Sequence, residues 1–156
     1  MADEPRRESA PRPLRFPADG PPVHTEVGQR RRGLIELLGA EGTGAYGPYV
    51  ALPRGRYLAR LRFRAGWALG GTAALDVSAD NGETRIASLL FDGARLAGED
   101  TAAEVPFEAE TDLVGVEVRL FCRAGFTGAL EAVEIIPRDG RDAEAAAAGT
   151  GGEPAP

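Results

Sequence analysis

The sequence predicts an all-β protein, an antiparallel β-sandwich with eight or nine strands. In residues 57–64 apolar side chains hold the odd positions, and Arg60, Arg62 and Arg64 hold even ones. This period of two is typical of a strand with one buried face and one solvated face. Short segments separated by turn residues recur along the chain at the spacing of sandwiches. Asn81-Gly82 is the strongest hairpin signal, because a type I′ turn needs two residues that tolerate positive φ.

Nine strands follow from these signals in chain order. One segment, residues 33–40, also carries leucine and isoleucine at the spacing of a helical face, but its shortness and flanking glycines favour a strand. The predicted strands are residues 23–27, 33–38, 49–52, 56–65, 72–79, 85–91, 103–108, 113–123 and 129–137.

Three of these strands combine an apolar face with a charged one. In residues 113–123 the valines oppose Glu117 and Arg119, and in residues 72–79 Leu75 and Val77 oppose Asp76 and Ser78. The third is the arginine strand at residues 57–64. If the three strands are neighbours, opposite charges face each other and help to fix the register.

Length and charge limit the classes of function. The 156 residues suit one domain, which we expect at residues 21–138 between a flexible, proline-rich leader (1–20) and a disordered acidic tail (139–156). The net charge is −6, and all 18 basic residues are arginine, which indicates a GC-rich bacterial genome. An acidic chain lacks the basic surface that nucleic acids require, and it gives no reason to expect binding to anionic membranes.

Single residues exclude further classes. One cysteine, Cys122, cannot form an internal disulfide or a multi-cysteine metal site, and its apolar surroundings predict a buried thiol. His24 is the only histidine, so a transition-metal site is not expected. No apolar h-region or 18-residue apolar run is present, and the expected location is the cytoplasm.

Five segments together resemble a known class of module. They read HTEVG, GTGAYGPYVALPRGRY, ALDVSADNG, VGVEVRLF and LEAVEIIP, within residues 22–137. The order is similar to jelly-roll β-sandwich modules of the carbohydrate-binding type, found in bacterial proteins concerned with surface polysaccharides and sometimes fused to glycosyltransferases or methyltransferases. The resemblance implies a non-catalytic accessory role in recognition, without naming a sugar.

Aromatic and charged residues then suggest a ligand site. Sugar rings stack on exposed aromatic faces, and paired carboxylates with a guanidinium can bind vicinal hydroxyls. Trp67 in a glycine-rich loop can present such a face, or it can cover the end of the core. Of the two tyrosines around Gly47-Pro48, one is expected to close the sandwich end and the other to present its hydroxyl. The predicted ligand-binding residues are Trp67, Tyr46, Tyr49, Asp76, Glu117 and Arg119.

The alternative is a purely structural role, in which the charged residues only form cross-strand salt bridges. On that interpretation the chain is a structural or oligomerisation module that binds a protein partner or a second copy, without sugar. An enzyme is not expected, since no nucleophile–base pair or metal set is present and arginines accompany the carboxylates. No cofactor is expected; structural calcium at Asp80–Glu83 or Asp92-Gly93 is the one alternative, and both segments are first of all turns.

Overall fold

The computed structural model describes residues 12–96 and 101–138, which form two antiparallel sheets packed face to face. The predicted sandwich is therefore confirmed. The described residues contain eleven strands and one short 3₁₀ helix, Gly93–Leu96. The strands are β1 (Leu14–Pro17), β2 (Gln29–Arg31), β3 (Leu34–Leu38), β4 (Gly42–Ala45), β5 (Pro48–Leu52), β6 (Gly55–Phe63), β7 (Thr72–Ala79), β8 (Thr84–Asp92), β9 (Ala102–Ala109), β10 (Leu113–Cys122) and β11 (Thr127–Arg138).

Each sheet is built around one long strand that pairs on both sides. In the first sheet the order is β2-β3-β11-β6-β9, and β1 pairs with β11 beyond the end of β3. In the second sheet the order is β4-β10-β7-β8, and β5 pairs with β10 beyond the end of β4. No helix in the described part of the chain has the length and apolar character needed to cross a membrane.

The core lies between the sheets and follows the predicted parity. Tyr57, Ala59, Leu61 and Phe63 of β6 are all buried, while the arginines between them face outward. At one end of the core the ring of Phe63 contacts those of Phe91 and Phe126, with centroids about 6 Å apart. Burying an apolar side chain of this size contributes roughly 2–3 kcal/mol, so these alternating positions supply much of the stability.

The structure adds strands that the sequence pattern does not show. Leu14–Pro17, which falls inside the predicted flexible leader, pairs with β11, so the sandwich begins before the expected boundary at residue 21. The predicted strand at residues 23–27 is reduced to one bridge, between His24 and Tyr46. The strand β2 consists of polar residues, and β4 contains two glycines, a threonine and an alanine, so neither strand has an apolar alternation to detect. The predicted acidic tail, residues 139–156, lies outside the described residues.

The predicted hairpin forms, with its turn displaced by one residue. The left-handed central pair is Asp80-Asn81, with φ of 56° and 57°, and the amide of Gly82 donates to the carbonyl of Ala79 at 3.1 Å. Asparagine and aspartate tolerate this conformation better than other non-glycine residues. Gly82 follows with φ of 96°, which suits a glycine.

A row of alternating charges crosses the outer face of the first sheet. Arg15, Glu134, Arg60 and Glu104 are register partners on β1, β11, β6 and β9. Arg60 donates to Glu104 at 2.7 Å and to Glu134 at 3.1 Å, and Arg15 also donates to Glu134. Burial alone would raise the pKa of Glu134, but the hydrogen bonds from Arg15 and Arg60 bring it below its ordinary value.

The expectation about charged strands therefore holds for one pair only. The strands β7 and β10 are neighbours, with Asp76 directly opposite Arg119. The arginine strand β6 lies in the other sheet, where Arg60 and Arg62 contact Glu134 and Arg64 contacts Glu131. Its partners come from β11 and β9, because acidic residues also occupy the outward positions of those two strands.

The first prediction concerns Glu134. We expect Glu134→Gln to lower the free energy of unfolding by about 1–3 kcal/mol at pH 7, because the surrounding arginines lose a charged acceptor. The folded-state pKa lies below the ordinary value of 4.5. The stabilisation is therefore complete above that ordinary value and is lost as the pH falls through the folded-state pKa. Urea denaturation across this pH range should show the difference between wild type and variant narrowing in acid.

Glu108→Gln provides the matched control, since Glu108 is an exposed glutamate of the same sheet without an ion pair among the described residues. Its effect should be within about 0.5 kcal/mol. Equal effects of the two substitutions would contradict the importance of the charge row.

Candidate functional site

A buried ion cluster lies on the outer face of the second sheet. Asp76 and Glu117 are only 2% and 5% exposed. Arg119 donates from Nε to Oδ1 of Asp76 at 2.8 Å and from Nη2 to Oδ2 at 3.0 Å. Its Nε also lies 3.8 Å from Glu117 Oε1. This bidentate geometry fixes both side chains and is among the stronger polar contacts in proteins.

Strand register produces the cluster. Arg119 pairs with Asp76, and Glu117 with Ser78, so all four residues share the outer face. The hydrogen bond with Asp76 is the main cause that raises the pKa of Arg119, against the opposing effect of burial. From β8, the exposed Arg85 lies 3.6 Å from Asp76 and adds a second positive charge. The described residues therefore balance two carboxylates against two guanidinium groups.

Tyr49 stands beside this cluster in a left-handed backbone conformation. Between Pro48, paired with Glu117, and Val50, paired with Val116, Tyr49 is an extra residue without a partner on β10. It is thus a β-bulge, and its φ is 67°. For a residue with a bulky side chain this conformation costs about 1–2 kcal/mol. Bulges of this kind occur next to functional sites, where they redirect a side chain.

The redirected side chain of Tyr49 is exposed and lies close to Glu117. Its exposed fraction is 40%. Burial of the hydroxyl and the charge of Glu117 raise the pKa of Tyr49, so the hydroxyl stays protonated. Tyr46 is half-buried at the other side of the corner.

His24 is a further member of the site that the sequence pattern did not include. Its backbone bridges to Tyr46, and its ring lies 5.3 Å from the ring of Tyr46 and 6.3 Å from that of Tyr49. The imidazole therefore supports both tyrosines from the side away from β10. The contact joins residues more than 20 positions apart, and no local pattern in the sequence indicates it.

Two glycines lie at the sides of the site. A Cβ on Gly47, whose φ is 126°, would lie 2.0 Å from the carbonyl oxygen of Pro22. Glycine is therefore required at this corner. On the other side, the Cα of Gly82 is so placed that a Cβ would lie 3.4 Å from Nη1 of Arg119. The tyrosine corner and the Asp80–Glu83 hairpin thus flank the ion cluster.

The site continues along the sheet into a shallow cavity with both polar and apolar walls. The guanidinium carbon of Arg119 lies 5.2 Å from the ring centroid of Phe121, in a cation–π contact. The cavity measures about 440 Å³ and is open to solvent. Its lining residues are Glu41, Gly42, Ala74, Leu90, Phe121, Cys122 and Arg123.

Trp67 lies apart from the other five predicted residues. It belongs to the connection between β6 and β7, where Ala68 accepts a hydrogen bond from the hydroxyl of Thr127 and Gly70 bridges to Thr127. This places Trp67 at the end of the sandwich beyond Ala73 and Cys122, and the side chain is 36% exposed. Within the described part of the chain, no aromatic pair joins it to Tyr46 or Tyr49. The structure brings together Tyr46, Tyr49, Asp76, Glu117 and Arg119 without it.

The described residues also show how candidate metal ligands and the thiol of Cys122 are placed. Over residues 12–96 and 101–138, no group of three or more histidine, cysteine or acidic side chains is placed to hold a metal ion. Cys122 is buried, and burial raises the pKa of its thiol to about 11. The thiolate needed for nucleophilic attack is therefore scarce at neutral pH.

Comparison with known proteins relates this fold to carbohydrate-binding modules. Neither a protein-family model nor a curated protein matches the sequence. Among solved structures, a family 35 carbohydrate-binding module from an environmental isolate has a TM-score of 0.53 and 15% identity, over 81% of this chain and 98% of that one. The C-terminal CBM6 of a marine laminarinase from Zobellia galactanivorans has a TM-score of 0.49 and 15% identity, over 80% and 98%. At these identities the similarity establishes the fold alone.

The backbone of Tyr49 leads to a prediction about stability. We expect Tyr49→Gly to be more stable than Tyr49→Ala by about 1 kcal/mol, because only glycine avoids the left-handed penalty. Both variants lose the same side-chain contacts, so the comparison isolates the backbone. Thermal or urea denaturation provides the measurement.

The neighbouring Val50 serves as the control, because it is absent from the positive-φ residues. There, Val50→Gly should be less stable than Val50→Ala by about 0.5–1 kcal/mol, the usual order. The same order at both positions would mean that Tyr49 is not strained.

Cys122 gives a chemical test of burial. We expect a thiol reagent such as 5,5′-dithiobis(2-nitrobenzoate) to label the native protein at least about 100-fold more slowly than the urea-unfolded protein, because the native thiol is both covered and protonated. Absorbance at fixed pH measures both rates. Comparable rates would place the thiol at the surface.

Proposed function

We propose that this protein is a non-catalytic glycan-binding module whose ligand contacts the tyrosine corner and the ion cluster of the second sheet. The observation that carries the proposal is the bulge at Tyr49, which holds an exposed aromatic ring in a strained conformation beside Glu117 and Arg119. A purely structural salt bridge between Asp76 and Arg119 does not require that strain.

The groups present have complementary roles toward a sugar. The ring of Tyr49 offers a flat apolar surface for the C–H face of a pyranose. Glu117 can accept hydrogen bonds from hydroxyls, and the exposed Arg85 can donate them. Since Asp76 and Arg119 already hold each other, they keep the floor of the site rigid and reduce the ordering that binding would require.

Shape and charge favour weak, reversible binding. The described site is an open sheet face, so we expect dissociation constants from high micromolar to millimolar. These constants correspond to a favourable binding free energy of about 4–6 kcal/mol. Arg119 holds Asp76 in a bidentate contact, so Asp76 is not available as a partner of Glu117 in the acid–base pair that glycoside hydrolysis uses. This arrangement supports recognition without chemistry.

The proposal also covers the partner, the location and the biological role of the protein. The solved structures of similar fold are described as carbohydrate-binding modules, some of them from glycan-degrading enzymes, which supports a glycan as the partner. We propose a role beside bacterial surface-polysaccharide metabolism, in the cytoplasm and without a cofactor. These points still rest on the composition and on the resemblance of the five segments to polysaccharide-associated modules.

A glycan array followed by calorimetry tests the proposal. Neutral and acidic oligosaccharides that bind the full chain should lose at least about tenfold in affinity with Tyr49→Ala, because the stacking surface is removed. Trp67→Ala is the matched control, since it removes an exposed aromatic residue outside the cluster.

The outcomes separate the assignments of the site. If Trp67→Ala loses glycan binding and Tyr49→Ala binds as well as the wild type, the binding site lies at the end of the sandwich that carries Trp67. If no glycan binds and light scattering shows a dimer that Leu90→Asp or Val114→Asp disrupts, the exposed apolar residues of the second sheet form a protein interface instead.

A further inference from the structure

A second pocket lies on the first sheet, separate from the proposed glycan site. It is a cavity of about 290 Å³ at the end of the sheet where β6, β9 and β11 meet. We call it the end pocket. Its lining residues are Arg56, Tyr57, Pro106, Phe107, Glu108 and Arg138.

Two arginines with the same charge face each other at the rim of the end pocket. Arg138 and Arg56 are register partners on β11 and β6, and Arg56 has Glu108 as its partner on β9. Directly opposed like charges are unfavourable in a sheet. Four residues along β6, the charge row through Arg60 alternates in sign throughout. The excess positive charge is therefore a local property of the end pocket.

These arginines keep their hydrogen-bonding capacity within the described structure. No ion pair within 4.0 Å joins Arg56 or Arg138 to a carboxylate of residues 12–96 or 101–138, although Glu108 is adjacent. Arg56 is exposed and Arg138 half-buried. Two neighbouring guanidinium groups are well suited to a carboxylate, because each offers parallel N–H donors, and a bound anion would also relieve their mutual repulsion.

Apart from the two arginines and Glu108, the surface of the end pocket is apolar. The rings of Tyr57 and Phe107 stack with centroids 5.4 Å apart and form a rigid base. Pro106 is exposed, and it is aligned with Leu58 and Ile136 in an apolar row next to the arginines. A ligand that satisfies both parts must combine an anionic group with an apolar body.

We propose that the end pocket binds a small organic carboxylate, with its carboxylate between Arg56 and Arg138 and its ring or short chain against Pro106. The volume is at the lower limit for small-molecule sites, which begin near roughly 300 Å³, so the ligand carries one ring or a comparable apolar group. The site is independent of the glycan site, because it lies on the other sheet.

Three probes separate the parts of this proposal. The full-length, ¹⁵N-labelled protein is titrated with benzoate, with benzamide and with acetate, and amide shifts are followed by NMR. Benzoate should shift the amides of residues 56, 107 and 138 with saturation, and benzamide and acetate should bind at least about tenfold more weakly.

Substitutions then test the arginines. Arg56→Gln and Arg138→Gln should each weaken benzoate binding about tenfold, while leaving the melting temperature unchanged or raised, because one repelling charge is gone. Arg64→Gln is the control, since Arg64 lies on the same sheet but pairs with Glu131 at 3.2 Å. It should leave benzoate binding unchanged.

Several outcomes would overturn the proposal. If benzamide binds as tightly as benzoate, the carboxylate does not contribute to binding. If acetate binds as tightly as benzoate, the apolar surface does not contribute. Equal losses in all three arginine variants would indicate general charge attraction. If the amides of residues 56 and 138 shift on dilution of the protein alone, a second copy of the chain occupies the end pocket instead.

Discussion

The register of β10 is the constraint on which the second sheet and its site depend. This strand is paired along both edges, with β7 on one side and with β5 and then β4 on the other. The amide of Val118 donates to the carbonyl of Gly47 at 2.6 Å, in the gap between β4 and β5. A slip of one residue would bury Glu117 and Arg119 and expose Val118, at a cost of several kcal/mol. The position of the ion cluster is therefore set by the backbone pairing of β10, and it does not depend on the attraction between the charged side chains.

The two sheets use charge in different ways. On the first sheet, Arg60 lies between Glu134 and Glu104, and the contacts form a line across four strands. That line specifies which strand lies beside which, because any other register would oppose like charges. On the second sheet, Arg119 and Asp76 are concentrated at one point, beside a ring held in a strained conformation. The first arrangement supports the fold, whereas the second concentrates buried charge beside the exposed ring of Tyr49.

The sequence predicts the strands in which apolar and polar residues alternate. Alternation in β6, β7 and β10 identified the strands, and parity identified the shared face of Asp76, Glu117 and Arg119. The pairing partners were not predictable, because parity does not say which strand is next to which, and β6 lies in the other sheet. Leu14–Pro17 falls in the predicted leader, because the prolines, balanced charges and few large apolar residues of residues 1–20 favour a flexible segment. The bulge at Tyr49 and the approach of His24 arise from tertiary packing, so no local pattern reports them. The side-chain chemistry of Trp67 predicts a place in the site, but the position of its loop separates Trp67 from the ion cluster.

Pro106 has a consequence for how the molecule behaves among its own copies. It occupies the middle of β9, the edge strand of the first sheet, where an unpaired strand would otherwise offer a row of N–H donors to another chain. Proline has no N–H and cannot extend a ladder, so it interrupts that row at its centre. Glu104 and Glu108 on either side add like charges that would repel an identical strand. This edge therefore resists the strand addition that leads to aggregation. We expect copies of the protein to remain unassociated through this edge even at high local concentration.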